Sequence, residues 1–324
     1  MRCASVWGPS TPVIAAPLNA WRARSWRSSV PLLSVIIATK DRASFLEAAL
    51  SSLEQQVLRE PFEVIVVDNG SSDHTAAVIE RFASVLDVRG VREERPNRGL
   101  ARNRGIAQAR GEIVVFCDDD VVLPLDWLAG HARAHAESDG AVCAVSGPII
   151  NVLSHDERPL PGPRNFSRAF FCTCNVSVSR ERLNAVGGFD ESFDLYGWED
   201  TELGARLRDA GVERRFAWDA YLWHVKPPAA ETLDAQLRKA AEKGRMAARY
   251  VRKRPSHDAV LATGAYALNR WKGRLLTPGP VRVLLAGALA AGRVPRVLEK
   301  AARAQLLDGI YLSEMEREMR SAPR

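Results

Sequence analysis

The sequence predicts an α/β fold, a parallel sheet covered by helices on both faces. Three observations carry that reading. Short apolar runs, "LLSVIIAT" (32–39), "FEVIVVD" (62–68) and "EIVVFCD" (112–118), have the length and β-branched content of strands buried on both sides. Stretches with apolar residues at helical spacing alternate with them. Thr39, Asp68 and Asp118 stand at the ends of those strands, where sheets of this kind bind ligands.

Taken in order, the first strand (32–39) leads to "SFLEAALSSLEQQV" (44–57). There Phe45, Leu46, Ala49, Leu50 and Leu53 form the apolar stripe of an amphipathic helix. After the strand at 62–68, "NGSSDHT" (69–75) supplies turn residues and a helix start for 76–83. A weaker strand follows at 86–91, then a helix over 99–110 and the strand at 112–118. Beyond residue 124 the pattern gives a helix, a strand over 141–150 and a polar, Pro-rich loop over 154–168. "EDTELGARLRDAG" (199–211) is a helix stopped by Gly211, and 213–218 a short strand. From 231 onward the chain reads as Arg-rich helices interrupted by Pro255, Pro278, Pro280 and Pro295.

The 324 residues, 46% hydrophobic and 26% charged, suit one large globular domain with an appendage. The net charge of +6 admits anionic partners without choosing among them. The bases are spread along the chain and no recognised binding motif occurs, which argues against a nucleic-acid binder. The longest apolar run in the C-terminal part, "VLLAGALAAG" (283–292), is too short to cross a membrane. The five cysteines, Cys3, Cys117, Cys143, Cys172 and Cys174, lack CxxC spacing and read as reduced thiols of a cytoplasmic protein. Cys172 and Cys174 read as strand residues near a pocket rather than as a metal or redox pair. Residues 1–30 carry Arg2, Arg22, Arg24 and Arg27 and no acid, the composition of a transit peptide, a disordered tail or a non-native extension.

The stretch "EIVVFCDDDVVLP" (112–124) sets three like charges where a buried strand ends. Such repulsion calls for a cation, and hard carboxylate oxygens suit Mg²⁺ or Mn²⁺. In extended backbone Asp118 and Asp120 share a face while Asp119 points away. The first two are therefore paired around a metal or its ligand.

The ordered set "SVIIATKDR", "EVIVVDNGSSDHT", "NRGLARNRGIAQARGEIVVFCDDD", "GGFDESFDLYGWEDTELGARLRDAG" and "WHVKPP" resembles the family 2 inverting glycosyltransferases. "GWEDTEL" also resembles part of the β-1,4-galactosyltransferase family. Each motif alone is weak; five in order on the expected elements, over residues 31–228, are specific. The resemblance implies a GT-A fold, a nucleotide-binding mixed sheet flanked by helices. It implies that Thr39, Asp41, Arg42, Asp68, Arg102, Asn103 and Asp118 line the donor site, with Asp68 accepting from the base. Asp118 and Asp120 match the DxD motif: Asp120 on the metal, Asp118 on the ribose or the same metal. His224 falls where a third metal ligand is expected. Asp200 matches the general base, and Glu199 a residue that holds the acceptor. "GGFDESF" (187–193) is expected to give aromatic contacts near the sugar. Trp198 either stacks on a sugar ring or packs in the ordinary way.

These readings divide the chain into an N-terminal tail (1–30), a GT-A domain (31–228) and a helical C-terminal extension (229–324). The expected activity is Mn²⁺- or Mg²⁺-dependent, inverting transfer of one sugar from a nucleotide-diphosphate donor, UDP-linked before dTDP or GDP, to a glycan or lipid-linked acceptor. The membrane helices and QxxRW motif of processive synthases are missing: "LNRWKGR" (268–274) lacks the Gln. The alternative is a non-catalytic nucleotide- or glycan-binding subunit, disfavoured by a complete base and metal set. A nucleotidyltransferase would need glycines that "TKDRASF" lacks. In the C-terminal region Val294, Val297, Leu298 and Ala301, interleaved with Arg293, Arg296, Lys300 and Arg303, form either a helix packed on the catalytic domain or a peripheral contact with an anionic membrane, at its cytoplasmic face.

Overall fold

A computed structural model describes residues 32–138, 142–227 and 232–321; the expected tail (1–30) lies outside them. The first half alternates as read: β1 (Leu33–Thr39), α1 (Ala43–Glu54), β2 (Phe62–Asp68), α2 (Thr75–Phe82), β3 (Val88–Arg92), α3 (Arg98–Gln108) and β4 (Ile113–Cys117). Then come β5 (Val121–Val122), α4 (Trp127–Ala136), β6 (Cys143–Ser146), β7 (Ile149–Val152), β8 (Asn175–Ser179), α5 (Arg180–Ala185), α6 (Glu199–Asp209), β9 (Glu213–Phe216) and β10 (Leu222–Val225). Five helices close the chain: α7 (Leu233–Lys253), α8 (His257–Thr263), α9 (Ala267–Leu276), α10 (Gly279–Ala290) and α11 (Arg296–Ser321).

The main sheet has the order β3-β2-β1-β4-β8-β6-β9. It is mixed rather than wholly parallel: β3, β2, β1 and β4 run parallel, and β8 is antiparallel to both β4 and β6. Strand alternation builds two cores. Leu33, Val35 and Ile37 point to one face, against Leu46, Leu50 and Leu53 of α1 and against Trp127. Ile36, Val114 and Phe116 point to the other, against Ala101 and Ile106 of α3 and Leu203 and Leu207 of α6. On that face a Cβ at Gly105 would lie 2.5 Å from Ile36 Cγ2, so α3 sits directly on β1.

The expected strand over 141–150 is two strands, β6 and β7, in different sheets. The break falls at Gly147, where a Cβ would meet the Ala220 carbonyl at 1.8 Å. A second sheet, β5-β10-β7, forms beyond the break, and in it His224 pairs with Val121, the residue after Asp120.

Strand β8 had no apolar signal because its alternate residues, Asn175 and Ser177, are polar and buried. Their partners come from α4. His131 contacts Ser177 Oγ at 2.8 Å and Asn175 Oδ1 at 3.0 Å, His135 contacts Ser177 Oγ at 2.9 Å, and Trp127 Nε1 donates to Asn175 Oδ1 at 3.0 Å. Burial pushes His131 down to about 3; burial, with Arg215 nearby, pushes His135 down to about 4.

Both imidazoles therefore stay neutral in the folded chain, while the unfolded chain protonates them below about 6.5. Stability present above that value is lost as pH falls, by up to about 1.4 kcal/mol per pH unit for each histidine. Urea midpoints measured between neutral pH and pH of about 4 should show this slope. His135→Gln, which keeps a hydrogen-bonding side chain, should flatten it; an unchanged slope would assign the acid sensitivity to other groups.

Candidate active site

The three aspartates after β4 diverge, and each meets a different partner. Asp119 turns toward β1, accepting from Thr39 Oγ1 at 2.7 Å and pairing with Arg42 at 2.8 Å. Asp120 pairs with the other arm of the same guanidinium at 2.9 Å and lies 3.0 Å from His224 Nε2. Asp118 faces Arg102 at 3.7 Å. Two arginines thus disperse the repulsion that the sequence reading gave to a metal alone. Burial, opposed by Arg42 and Thr39, raises Asp119 to about 6. Burial acts upward on Asp120 too, but His224 and Arg42 outweigh it and hold that carboxyl at about 2. The guanidinium of Arg42 also lies 4.7 Å from the Phe45 ring centroid, which fixes its plane.

Around the donor-side residues, the loops after β1 and β2 lace together. Asp41, with φ of 51°, accepts from Ser72 N at 2.7 Å, while its own N–H donates to Ser71 Oγ at 2.9 Å. Asp73 accepts from Ala43 N at 3.0 Å and so joins the start of α1 to the second loop. Asp68 accepts from Ser71 N at 2.8 Å and pairs with Arg92, so its observed contacts are those of a turn cap.

Helix α6 brings the second acidic pair. Arg102, buried, donates to Glu199 at 3.0 Å while facing Asp118, so one guanidinium spans the strand end and the acidic helix. Asp200 Oδ1 accepts from its neighbour Thr201 N at 2.7 Å. Burial and the adjacent Glu199 charge raise Asp200 to about 6, with Arg102 opposing. The other Glu199 oxygen, Oε2, is buried without a hydrogen-bond partner.

Asn103, expected beside the nucleotide, is engaged elsewhere. It accepts from Phe189 N at 2.7 Å and donates to Phe189 O at 2.9 Å, gripping the turn that opens with Gly187 and Gly188. Both glycines have positive φ, and a Cβ on Gly188 would strike Asn103 Oδ1 at 2.6 Å. Phe189 and Phe193 of that turn are buried core residues rather than exposed sugar contacts: one packs edge-on against Phe116, the other with Met246 and Tyr250. Trp198 packs as well, stacked on Tyr250 at 5.6 Å with its N–H donated to Lys243 O at 3.1 Å.

The residues fit a divalent cation. Asp120 Oδ1 is buried and makes no hydrogen bond of sound geometry, although His224 Nε2 is 3.0 Å away. Two ligand atoms each about 2.1 Å from an octahedral ion, at right angles, lie about 3 Å apart. Donor atoms of Asp118, Cys174 and His224 also fall within 4.8 Å of one another. Cys174 is the member that sequence reasoning set aside. Its thiol is driven well upward by burial and by Asp118, so it stays protonated, 3.9 Å from His224 Nδ1, as a neighbour rather than a ligand of a hard ion. The buried role of Asp119 was also missed; the polar Thr39 at the end of the adjacent strand was the signal that could have revealed it.

Residues 34–180 match the family model described as glycosyl transferase family 2, and residues 155–226 that described as the N-terminal domain of galactosyltransferase. A validoxylamine A glucosyltransferase of Streptomyces hygroscopicus subsp. jinggangensis is 29% identical over 71% of this chain and 62% of its own length. The chain spans 27% and 65% of two other curated relatives. Among solved structures, a mannosyltransferase from Pyrobaculum calidifontis, in complex with GDP-Man and Mn²⁺, superposes with a TM-score of 0.60. It is 23% identical and covers 90% of this chain and 88% of that one. S. aureus TarS 1-349 with UDP-GlcNAc gives a TM-score of 0.54 at 21% identity, over 88% and 90% of the two chains.

Arg102→Gln leaves Glu199 buried and unpaired, which should cost about 3–5 kcal/mol of stability in urea unfolding. The double substitution Arg102→Met/Glu199→Met should recover most of that loss. A single variant as stable as the parent would show that the pair is not a structural requirement.

Proposed function

We propose, for a chain that carries a glycosyl transferase family 2 domain on a GT-A fold, that it transfers one sugar, with inversion, from a nucleotide-diphosphate donor to a glycan or lipid-linked acceptor. The observation that supports this most is the Arg102 bridge, which ties the acidic helix to the aspartate cluster. A base and a leaving-group site thereby share one wall of the fold.

On this reading Asp200 takes the acceptor's hydroxyl proton as its oxygen attacks the anomeric carbon from the face opposite the diphosphate. A single displacement gives inversion; a hydrolase would need two carboxylates flanking the bond. Glu199, held by Arg102, positions the acceptor. Thr39, Asp41, Arg42, Asp68, Arg102, Asn103 and Asp118 form or brace the donor side, where Asp68 is free to accept from a base imide only beyond its turn contacts. Asp120 and His224, with Asp118, would hold Mn²⁺ or Mg²⁺, which supplies neutralisation of the departing diphosphate. The mannosyltransferase is in complex with GDP-Man and TarS with UDP-GlcNAc, so the UDP donor is a preference of this reading. A cytoplasmic site of action follows from reduced thiols and a nucleotide-sugar donor.

Screening nucleotide sugars with Mn²⁺ for slow hydrolysis, then for transfer, tests the proposal. Excess chelator should abolish turnover and added Mn²⁺ restore it; full activity in chelator would remove the metal. Asp120→Asn should weaken donor binding, because an amide is the poorer ligand.

Asp200 must be ionised to act, so the rate should rise with pH through about 6 and then level. Asp200→Asn should bind donor almost normally yet turn over about 10²–10⁴-fold more slowly. Near-parental turnover in that variant, or retained configuration in the parent's product, would overturn the mechanism.

A further inference from the structure

Between Asp258 and Glu299 the chain carries Arg270, Lys272, Arg274, Arg282, Arg293 and Arg296 and no acid. These six bases equal the entire formal net charge of +6, so the rest of the chain is balanced. The same segment holds the helices α9 and α10, and most of its large apolar side chains are exposed. Leu268, Trp271, Leu275, Val283, Leu284 and Val297 are between 58% and 89% exposed.

Their direction follows from what the opposite sides of the helices touch. On α9, Gly273 is the contact with α11, where a Cβ would meet Leu312 at 2.8 Å. Leu268, Trp271 and Leu275, at helical spacing, lie on the side away from it. On α10, Leu289 is buried and Arg282 reaches the Gly309 carbonyl of α11. Val283, Leu284 and Gly287 turn away, and around Gly287 there is open space. The apolar face is thus a built outer surface. No described helix is long and apolar enough to cross a membrane.

We infer that the outer face of α9 and α10, continued by the start of α11, docks on an anionic lipid surface. An exposed Trp and Leu/Val set flanked by the exposed Arg293 and Arg296, with Arg274 held by Glu316, matches a headgroup layer, which offers apolar depth and negative charge together. A second copy of this chain would bring bases against bases, and no acid on the face would answer them. The sequence expectation rested on Val294, Val297, Leu298 and Ala301; the exposed apolar residues of α9 and α10 move the centre of the contact there. Lipid binding needs no donor and no turnover, so the inference stands or falls apart from glycosyl transfer.

Flotation of the full chain with phosphatidylcholine vesicles, with and without phosphatidylglycerol, tests it. The chain should co-float with the anionic vesicles at low salt and be released by high salt. Trp271→Ser/Leu275→Ser and, separately, Arg293→Glu/Arg296→Glu should each lower partitioning on the order of tenfold. Every substituted side chain is exposed, and circular dichroism should confirm an unchanged fold. No co-flotation at low salt overturns the inference. So does self-association in sedimentation that the apolar substitutions abolish, since a second copy would then cover the face. Equal binding by the charge variant and the parent overturns it too.

Discussion

Three adjacent carboxylates at the end of a buried strand must be kept apart, and the structure around β4 is organised to do so. Arg42 enters from the start of α1 and Arg102 from α3, one on each side of the strand end. Arg102 could not occupy its place without acids to meet it, since a buried guanidinium without a partner is costly. Arg102 meets that condition twice, from Asp118 and from Glu199. The result couples the β1–β4 half of the sheet to α6, a helix that lies 80 residues further along the chain than Asp119 by the spacing of Glu199. Apolar packing of Leu203 and Leu207 seats α6 on the sheet, and the charges fix its acidic start against the strand end.

Backbone strain follows the same map. Among the described residues, only Asp41 and Trp198 are non-glycine positions with positive φ, at 51° and 76°. Such conformations cost on the order of 1–3 kcal/mol and persist where surroundings over-determine them. Asp41 is held by Ser71 and Ser72 of the neighbouring loop. Trp198 opens α6, and its indole is clamped by Tyr250 and the Lys243 carbonyl of α7. The lever that orients Glu199 and Asp200 therefore belongs to the C-terminal helices. Lys253 and Arg249 of α7 add ion pairs to Asp190 and Asp194 of the same loop. The helical extension is a brace for the acidic helix as well as an appendage.

Much of this was readable from the chain. The strands β1, β2 and β4 are continuous apolar runs, and their ends named Thr39, Asp68 and Asp118 without any structure. What stayed hidden was set by partners distant in sequence. Strand β8 looks half-polar because α4 supplies its hydrogen bonds from the other side of a loop. Asn103 lies one residue from Arg102, yet it turns to a glycine turn that no local pattern reveals. Phe189 and Phe193 resemble exposed aromatics in a glycine-rich loop, but Phe116 and Tyr250 cover them. Cys174 reaches His224 only because β8 begins where β10 ends.

Charge at the site limits how a donor can enter. Asp118, Asp119, Asp120, Glu199 and Asp200 face one another across a small region, and the arginines among them are Arg42 and Arg102. Both guanidinium groups are already committed to these carboxylates. With Asp119 and Asp200 each raised only to about 6 and Asp120 held at about 2, these three acids are largely ionised at neutral pH. An incoming diphosphate adds negative charge to a site that is negative already. On the proposed function, attraction would come from positive charge that arrives with the donor or before it, at the buried Asp120 oxygen beside His224. The orphaned oxygen and the surplus of acid are two views of one arrangement: the arginines hold the aspartates in place, and on the proposed function a divalent cation would take up the charge of the leaving group.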